Sequence, residues 1–250
     1  MDLTTIFGVL IGLAGIVLGN LLEGGHMSSI LQGTAAFIVF GGTAGAVLVA
    51  HSWGNIRLAM RMGRQAFVKQ DLDYPRRVIR QIMELATLAK NDTLLGLEAQ
   101  LPRVRDEFAR DLLRKVVDGT DPALLREIAD HEMEQEERQL LGAAKVWADA
   151  GGFSPTIGII GAVLGLIHVM GNLTDTSKLG AGIAVAFVAT IYGVASANLI
   201  FIPLSNKIKL IIKTRIVLKE MILEGALGIA SGLNPRILEQ KLESFYKEMK

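Results

Sequence analysis

The sequence contains no cysteine among its 250 residues. This absence excludes disulfide bonds, thiolate nucleophiles, cysteine-ligated zinc and iron–sulfur clusters. Any chemistry that the chain supports must therefore depend on other side chains.

The motifs of soluble enzymes are also missing. No G-x-x-x-x-G-K-[ST] phosphate loop and no G-x-S-x-G nucleophile elbow occurs, and His131-Glu132 lacks the second histidine of a zinc protease. We therefore expect the chain not to be an enzyme, and to hold no metal and no cofactor.

Charged residues are absent from four long stretches, although half of the chain is hydrophobic and its mean hydropathy is +0.40. The uncharged stretches cover residues 3–22, 28–50, 153–173 and 180–204. A helix crosses the bilayer with about 20 apolar residues at a rise of about 1.5 Å each. No alternating strand pattern of a membrane barrel is present. The sequence therefore predicts an all-α membrane protein with four transmembrane helices.

Lysine and arginine are almost absent from one side of this topology. Of 26 such residues, only Lys178 lies in a hairpin loop, the polar turn expected at Thr174 to Leu179. Because basic residues concentrate on the cytoplasmic side, both termini are predicted to be cytoplasmic. The net charge of +1 gives no reason to expect nucleic-acid binding.

The charged remainder of the chain is expected to be helical and cytoplasmic. We predict four regions: a transmembrane hairpin at 1–50, a helical cytoplasmic domain at 51–150 inserted between spans two and three, a second hairpin at 151–204, and cytoplasmic C-terminal helices at 205–250. Pro75 and Pro122 are expected near helix starts, and Asn234-Pro235 at the start of the last helix. The acidic cluster at Glu132 to Glu137 is interpreted as a solvated face.

Small residues recur at a spacing of four in every predicted span. They include Gly8 and Gly12, Gly15 and Gly19, Gly41 and Gly45, Gly161 and Gly165, and Ala189, Gly193 and Ala197. Such faces allow helix backbones to approach closely in lipid. We expect contacts inside the chain and with other chains, and hence a homo-oligomer.

No carboxylate or fixed cation lies inside a span, although ion-coupled membrane proteins usually need one. His168 lies toward the outer end of span three, where packing is the simpler interpretation. Pro155 and Pro203 mark either flexible pivots or plain helix ends. Thr190 can hydrogen-bond an ion, a water or a partner carboxylate, or its own backbone one turn earlier.

The stretches GGFSPTIGIIGAVLGLIHVM and LGAGIAVAFVATIYGVASANLIFIPLSNKIK resemble the MotA/PomA family of flagellar stator subunits. The resemblance extends over essentially the whole chain. It implies a multi-pass protein of the bacterial inner membrane, in a ring of five such chains around two copies of a MotB-like partner. That partner has a single span with an essential Asp and a peptidoglycan-binding domain.

The resemblance also implies roles for individual residues. Pro155 and Pro203 match the prolines that couple ion flow to movement, and Thr190 matches the channel threonine that faces the partner's Asp. Within TLAKNDTLLGLE, Lys90 and Glu98 match charges that contact the rotor protein FliG. The chain has Asn91 and Asp92 where relatives often have further basic residues.

The prediction of the transported ion depends on two alanines. Sodium-type relatives have hydroxyls at the positions of Ala162 and Ala189. Because sodium needs oxygen ligands in place of its water, protons are the better prediction and sodium the alternative.

Two other functions stay open at this level. One is a TolQ/ExbB-type energiser of outer-membrane processes, whose members have three spans. The other is a membrane scaffold or channel without energy coupling.

Overall fold

The computed structural model describes residues 2–69, 71–92, 94–171 and 176–249, and it contains helices and no strand within these ranges. The first helices are α1 Leu3–Leu22, α2 Met27–Ile30, α3 Gly33–Ala36, α4 Gly42–Ala50 and α5 Trp53–Gln65. The next are α6 Tyr74–Asp92, α7 Leu94–Glu98 and α8 Glu107–Val117, with a short 3₁₀ turn at Leu101–Arg103. The last are α9 Pro122–Gly171, α10 Thr176–Ser196, α11 Ile202–Ala230 and α12 Pro235–Glu248.

Four helical segments are long and apolar enough to cross a membrane, as predicted. They are Leu3–Leu22, Met27–Ala50, Pro122–Gly171 and Gly182–Ala230. The expected polar turn at Thr174 to Leu179 is only partly within the described residues, because 172–175 lie outside them. From Thr176 onward that stretch is already helical.

Span three is not a separate helix. The helix predicted to start near Pro122 continues without interruption into the third apolar run, so that α9 has 50 residues. The Gly151-Gly152 pair between the two parts adopts helical geometry. A glycine inside a helix costs only about 1 kcal/mol, which the surrounding apolar packing can offset.

Span two is interrupted near its start. Leu31 and Gln32 adopt extended backbone angles between α2 and α3, and helical structure is then continuous from Gly33 to Ala50 through a π-helical turn at Phe37–Gly41. Composition did not predict this break, because the whole stretch is uncharged and apolar.

The chain divides into two compact units. The first contains Met1–Lys69 and Leu140–Lys209, and the second contains Gln70–Gln139 and Leu210–Lys250. The first therefore holds α1 to α5, α10 and one part each of α9 and α11. The second holds α6, α7, α8 and α12 with the remaining parts of α9 and α11.

A leucine-rich core holds the second unit together. Leu97, Leu125, Leu238 and Leu242 are completely buried in it. Asn234 caps α12, its side chain accepting a hydrogen bond from the Arg236 N–H at 3.0 Å, as predicted. Burying each of these four leucine side chains stabilises the unit by about 1.5–3 kcal/mol.

The acidic cluster of α9 is not merely a solvated face. Glu136 lies 2.5 Å from both Arg215 and Lys219 of α11, with only 20% of its side chain exposed. Lys219 also lies 4.2 Å from the centre of the Phe108 ring. The positive charges of α11 are thus partly neutralised within the second unit.

Candidate functional site

Helices α9 and α10 approach each other along a face of small residues, which we call the small-residue crossing. It consists of Gly158, Gly161 and Gly165 of α9 and of Gly182, Ala186, Ala189 and Gly193 of α10. A Cβ atom added to Gly161 would lie 2.7 Å from the Ala189 Cβ, and one added to Gly165 would lie 2.8 Å from the Ala186 nitrogen. The predicted close packing of these two spans is therefore found inside the chain.

Pro155 lies inside α9 at one end of this crossing. A Cβ added to Gly193 would lie 2.6 Å from the Ser154 carbonyl oxygen and 3.1 Å from the Pro155 Cα. Proline has no N–H to donate, so the Gly151 carbonyl lacks its usual partner four residues later. The interpretation of Pro155 as a plain helix end is wrong, because α9 continues on both sides of it.

Pro203 also lies within continuous helix rather than at a helix end. A π-helical turn at Ala197–Phe201 precedes it, and the Ile202 N–H donates to the Ala197 carbonyl five residues back. π-Helical turns inside α-helices are frequent at functional sites. A Cβ added to Gly151 would lie 2.6 Å from Ile202 Cγ1, so the turn before Pro155 packs on the turn before Pro203.

A buried hydroxyl pair links the same two regions. Ser154 and Ser196 are both buried, and their Oγ atoms lie 2.8 Å apart. Ser196 Oγ also donates to the Gly193 carbonyl at 3.2 Å. Ser154 directly precedes Pro155, and Ser196 directly precedes the π-helical turn. The sequence analysis missed this pair, whose only signal was two serines in otherwise apolar spans.

Thr190 is half-buried, and its Oγ1 donates to the Ala186 carbonyl at 3.3 Å. This is the backbone interaction left open by the sequence, and it is longer than a typical hydroxyl hydrogen bond. Ala189 is completely buried in the small-residue crossing, and Ala162 is half-buried next to Gly161. The structure therefore places Thr190 and Ala189 at the same crossing as Pro155.

Tyr192 holds the interrupted start of span two. Its hydroxyl donates to the Ile30 carbonyl at 2.7 Å and accepts from the Gln32 N–H at 3.2 Å. Its ring stacks on Phe40 with centroids 6.1 Å apart. Backbone groups freed inside a bilayer need such partners, since lipid offers none.

Lys90 and Glu98 belong to the second unit. Lys90 lies in the last turn of α6 and Glu98 ends α7, and both are exposed. Neither makes an ion pair with any residue that the structure describes. The neighbouring Leu97 is completely buried, which fixes α7 on the core.

Tyr74 and Glu224 of the second unit, which lie outside the uncharged stretches, have shifted pKa values. Burial and a 2.7 Å hydrogen bond to Asp106 raise the pKa of Tyr74 to about 12. Burial acts to raise the pKa of Glu224, but hydrogen bonds from Lys241 and Arg126 outweigh it and lower the pKa. Among the described residues, no cluster of His, Asp and Glu could hold a metal ion.

Comparison with known proteins assigns the chain to a family. Residues 100–221 match the MotA/TolQ/ExbB proton channel family, and residues 6–92 match the motility protein A N-terminal model. Motility protein A of Helicobacter pylori is 35% identical over 245 residues, which cover 98% of the chain and 95% of that relative. The chain belongs to the motility protein A family. This confirms the family predicted from the sequence.

Solved structures of the motility protein A family have the same fold. The structure of C. jejuni MotAB matches with a TM-score of 0.91 at 31% identity, covering 98% of this chain and 96% of that one. The flagellar MotAB stator complex from Bacillus subtilis matches with a TM-score of 0.88 at 32% identity, covering 96% and 94%. With its four apolar helices, this family member is a multi-pass protein of the inner membrane.

Proposed function

We propose that the chain is the ring-forming stator subunit of a flagellar motor, which couples ion flow to torque. The observation that supports this most strongly is the packing of the Pro155 and Pro203 turns against each other beside Thr190, in spans that hold no charge of their own. The relatives named motility protein A and the solved MotAB stator complexes support the same function.

A partner chain would supply the ion-binding carboxylate. The four uncharged stretches, 3–22, 28–50, 153–173 and 180–204, contain no Asp or Glu, and an ion relay usually requires one at depth. The partner we propose is MotB-like, with one span carrying an essential Asp and a domain that binds peptidoglycan. Five copies of this chain would surround two copies of it, with both termini and the charged segment 51–150 in the cytoplasm.

Protons are the ion we propose, with sodium as the alternative. Ala162 and Ala189 carry no oxygen in their side chains, and Thr190 is the hydroxyl left at this level of α10. A desolvated sodium ion needs several oxygen ligands, whereas a carboxylate alone can take up a proton.

The step would begin when a proton neutralises the partner's Asp opposite Thr190. Thr190 Oγ1 would exchange its long bond to the Ala186 carbonyl for the partner's carboxyl group. A proton crossing about 100 mV releases about 2.3 kcal/mol, enough to favour one packed state over another. Pro155 and Pro203 would transmit the movement, and Lys90 and Glu98 would act on the rotor protein FliG.

Complementation of a deletion strain tests this function. The wild-type chain should restore swimming, whereas Thr190→Ala and Pro155→Ala, at normal membrane abundance, should abolish most of it. Purification through the wild-type chain should recover a single-span protein with a membrane Asp. Full swimming with both variants would exclude the mechanism, and unaffected motility of the deletion strain would favour an energiser or a scaffold.

A further inference from the structure

The first helix of the chain is held by its N-terminal end. No residue of α1 is buried within the chain. At its start, Lys207 Nζ contacts both the Asp2 carboxylate and the Thr5 hydroxyl, and the Asp2 N–H donates to the Phe67 carbonyl at 2.9 Å. Lys207 is 25% exposed and Asp2 is 24% exposed, so water is partly excluded from the pair.

The Asp2 carboxylate has two functions at once. It caps α1 by accepting from the Thr4 N–H at 3.1 Å and from the Thr4 hydroxyl at 2.6 Å. It also pairs with Lys207, whose hydrogen bond holds the pKa of Asp2 well below its usual range. The carboxylate is therefore charged at physiological pH, and α1 cannot change its distance from α11 without breaking a charge-assisted bond.

A second polar pair holds the other end of the first hairpin. His51 terminates α4, and its Nε2 lies 3.0 Å from Asp149 Oδ2 of α9. The His51 side chain is only 7% exposed. A buried imidazole is positioned by such a partner, and losing it leaves a polar group without compensation.

The two pairs occupy equivalent places relative to the prolines. Lys207 lies four residues after Pro203, about one helical turn along α11. Asp149 lies two residues before Gly151, whose carbonyl Pro155 leaves unpaired. One pair contacts the start of span one and the other contacts the end of span two. These two ends lie on the same side of the first hairpin.

We propose that the Asp2–Lys207 and His51–Asp149 pairs fasten the first hairpin to the two proline helices, so that all four spans of one subunit move as one body during the ion-driven step. This rests on the proposed stator function. The alternative is that these contacts only help the chain to fold, in which case breaking them lowers the amount of protein without changing torque per complex.

Substitutions at the Asp2–Lys207 pair separate these two cases. Asp2→Asn keeps an acceptor for the α1 cap but removes the charge, Lys207→Met removes the ammonium group, and Lys207→Arg retains a cation. Lys209→Met, at an exposed lysine two residues further along α11, is the matched control. Each variant is produced with the native partner, and membrane abundance, proton flux in vesicles and stall torque are measured.

We expect Asp2→Asn and Lys207→Met to keep abundance and proton flux while losing most of the torque. Lys207→Arg and Lys209→Met should keep the torque, and the Asp2→Asn/Lys207→Met double variant should be no worse than the worse single variant. Asp149→Ala should lose torque in the same way, whereas Asp149→Asn, which still accepts from His51, should retain it. The proposal would be overturned if Asp2→Asn and Lys207→Met gave the same torque as Lys209→Met. It would also be overturned if their torque fell only in proportion to their membrane abundance.

A covalent link tests the single-body movement directly, and the absence of native cysteine makes it specific. Asp2→Cys/Lys207→Cys should lose torque when its thiols are free and regain it when a short bis-maleimide joins them. Torque that is blocked by the link would mean that α1 must move relative to α11. Failure of the wild-type chain to drive rotation would instead contradict the stator function. In that case the yield of the cross-link would still report whether positions 2 and 207 are adjacent.

Discussion

Gly193 shows how much of the site depends on one missing methyl group. A Cβ at this position would lie 2.6 Å from the Ser154 carbonyl oxygen, which is backbone and cannot rotate away. We expect Gly193→Ala to destabilise the chain by about 1–3 kcal/mol and to reduce torque, because α10 must move away from Pro155. Thermal unfolding of the purified complex measures the first effect and tethered-cell rotation the second.

Gly152→Ala is the matched control for that substitution. Gly152 lies near Pro155 on α9, but a Cβ there meets nothing within 4 Å inside the chain. Its unfolding temperature should equal or exceed that of the wild type, since alanine is the better helix former. Equal stability of Gly193→Ala and Gly152→Ala would show that the crossing is looser than described.

The raised pKa of Tyr74 predicts that the protein loses stability at alkaline pH. Its pKa is about 12 because burial and the Asp106 hydrogen bond favour the neutral phenol. An unfolded tyrosine ionises at about pH 10, so the stabilisation is complete below that pH and is lost as pH rises toward the folded value. In Tyr74→Phe the unfolding temperature should depend less steeply on pH between about pH 9 and about pH 12. An unchanged slope in this variant would contradict the assignment.

At the scale of elements, the break in span two depends on one side chain from α10. Tyr192→Phe keeps the ring that stacks on Phe40 but removes the hydroxyl that pairs with Ile30 and Gln32. Two backbone groups then lack partners, and we expect a loss of about 1–3 kcal/mol. Hydrogen exchange at the Gln32 amide should accelerate. If exchange there is unchanged, another group satisfies the break.

The sequence predicts helices best where a local signal marks their ends. Asn234-Pro235 correctly predicts the start of α12, and an uncharged run of 20 residues correctly predicts α1. The break at Leu31 and the continuity of α9 through Pro155 are not predictable in this way. Each involves a partner distant in sequence: Tyr192 hydrogen-bonds the backbone at the break, and Gly193 packs against Pro155. The sequence itself singles out Pro155, Pro203 and Thr190, and family resemblance adds their roles together with Lys90 and Glu98. The Ser154–Ser196 bond required the fold.

At the scale of the whole molecule, α1 has a glycine face that other parts of this chain leave mostly uncovered. Gly8, Gly15 and Gly19 share one helix face with Gly12, yet a Cβ at any of the three would meet nothing within 4 Å. Gly12 alone is occupied, with its Cβ position 3.0 Å from Leu199. Lipid packs against leucine as well as against glycine, so open glycines favour contact with another helix.

Gly15→Leu tests whether a second copy of the chain covers this face. If a second copy packs here in the proposed homo-oligomer, we expect Gly15→Leu to weaken that assembly, because the leucine would hold the two helices apart, while the single chain retains its fold. Leu10→Phe, which adds volume on the opposite side of α1, should leave the assembly intact. Native mass spectrometry of the purified complexes counts the copies in each variant. An unchanged copy number in Gly15→Leu would assign this face to lipid, and a loss of helical signal in that variant would instead show that Gly15 is needed for the fold of the subunit.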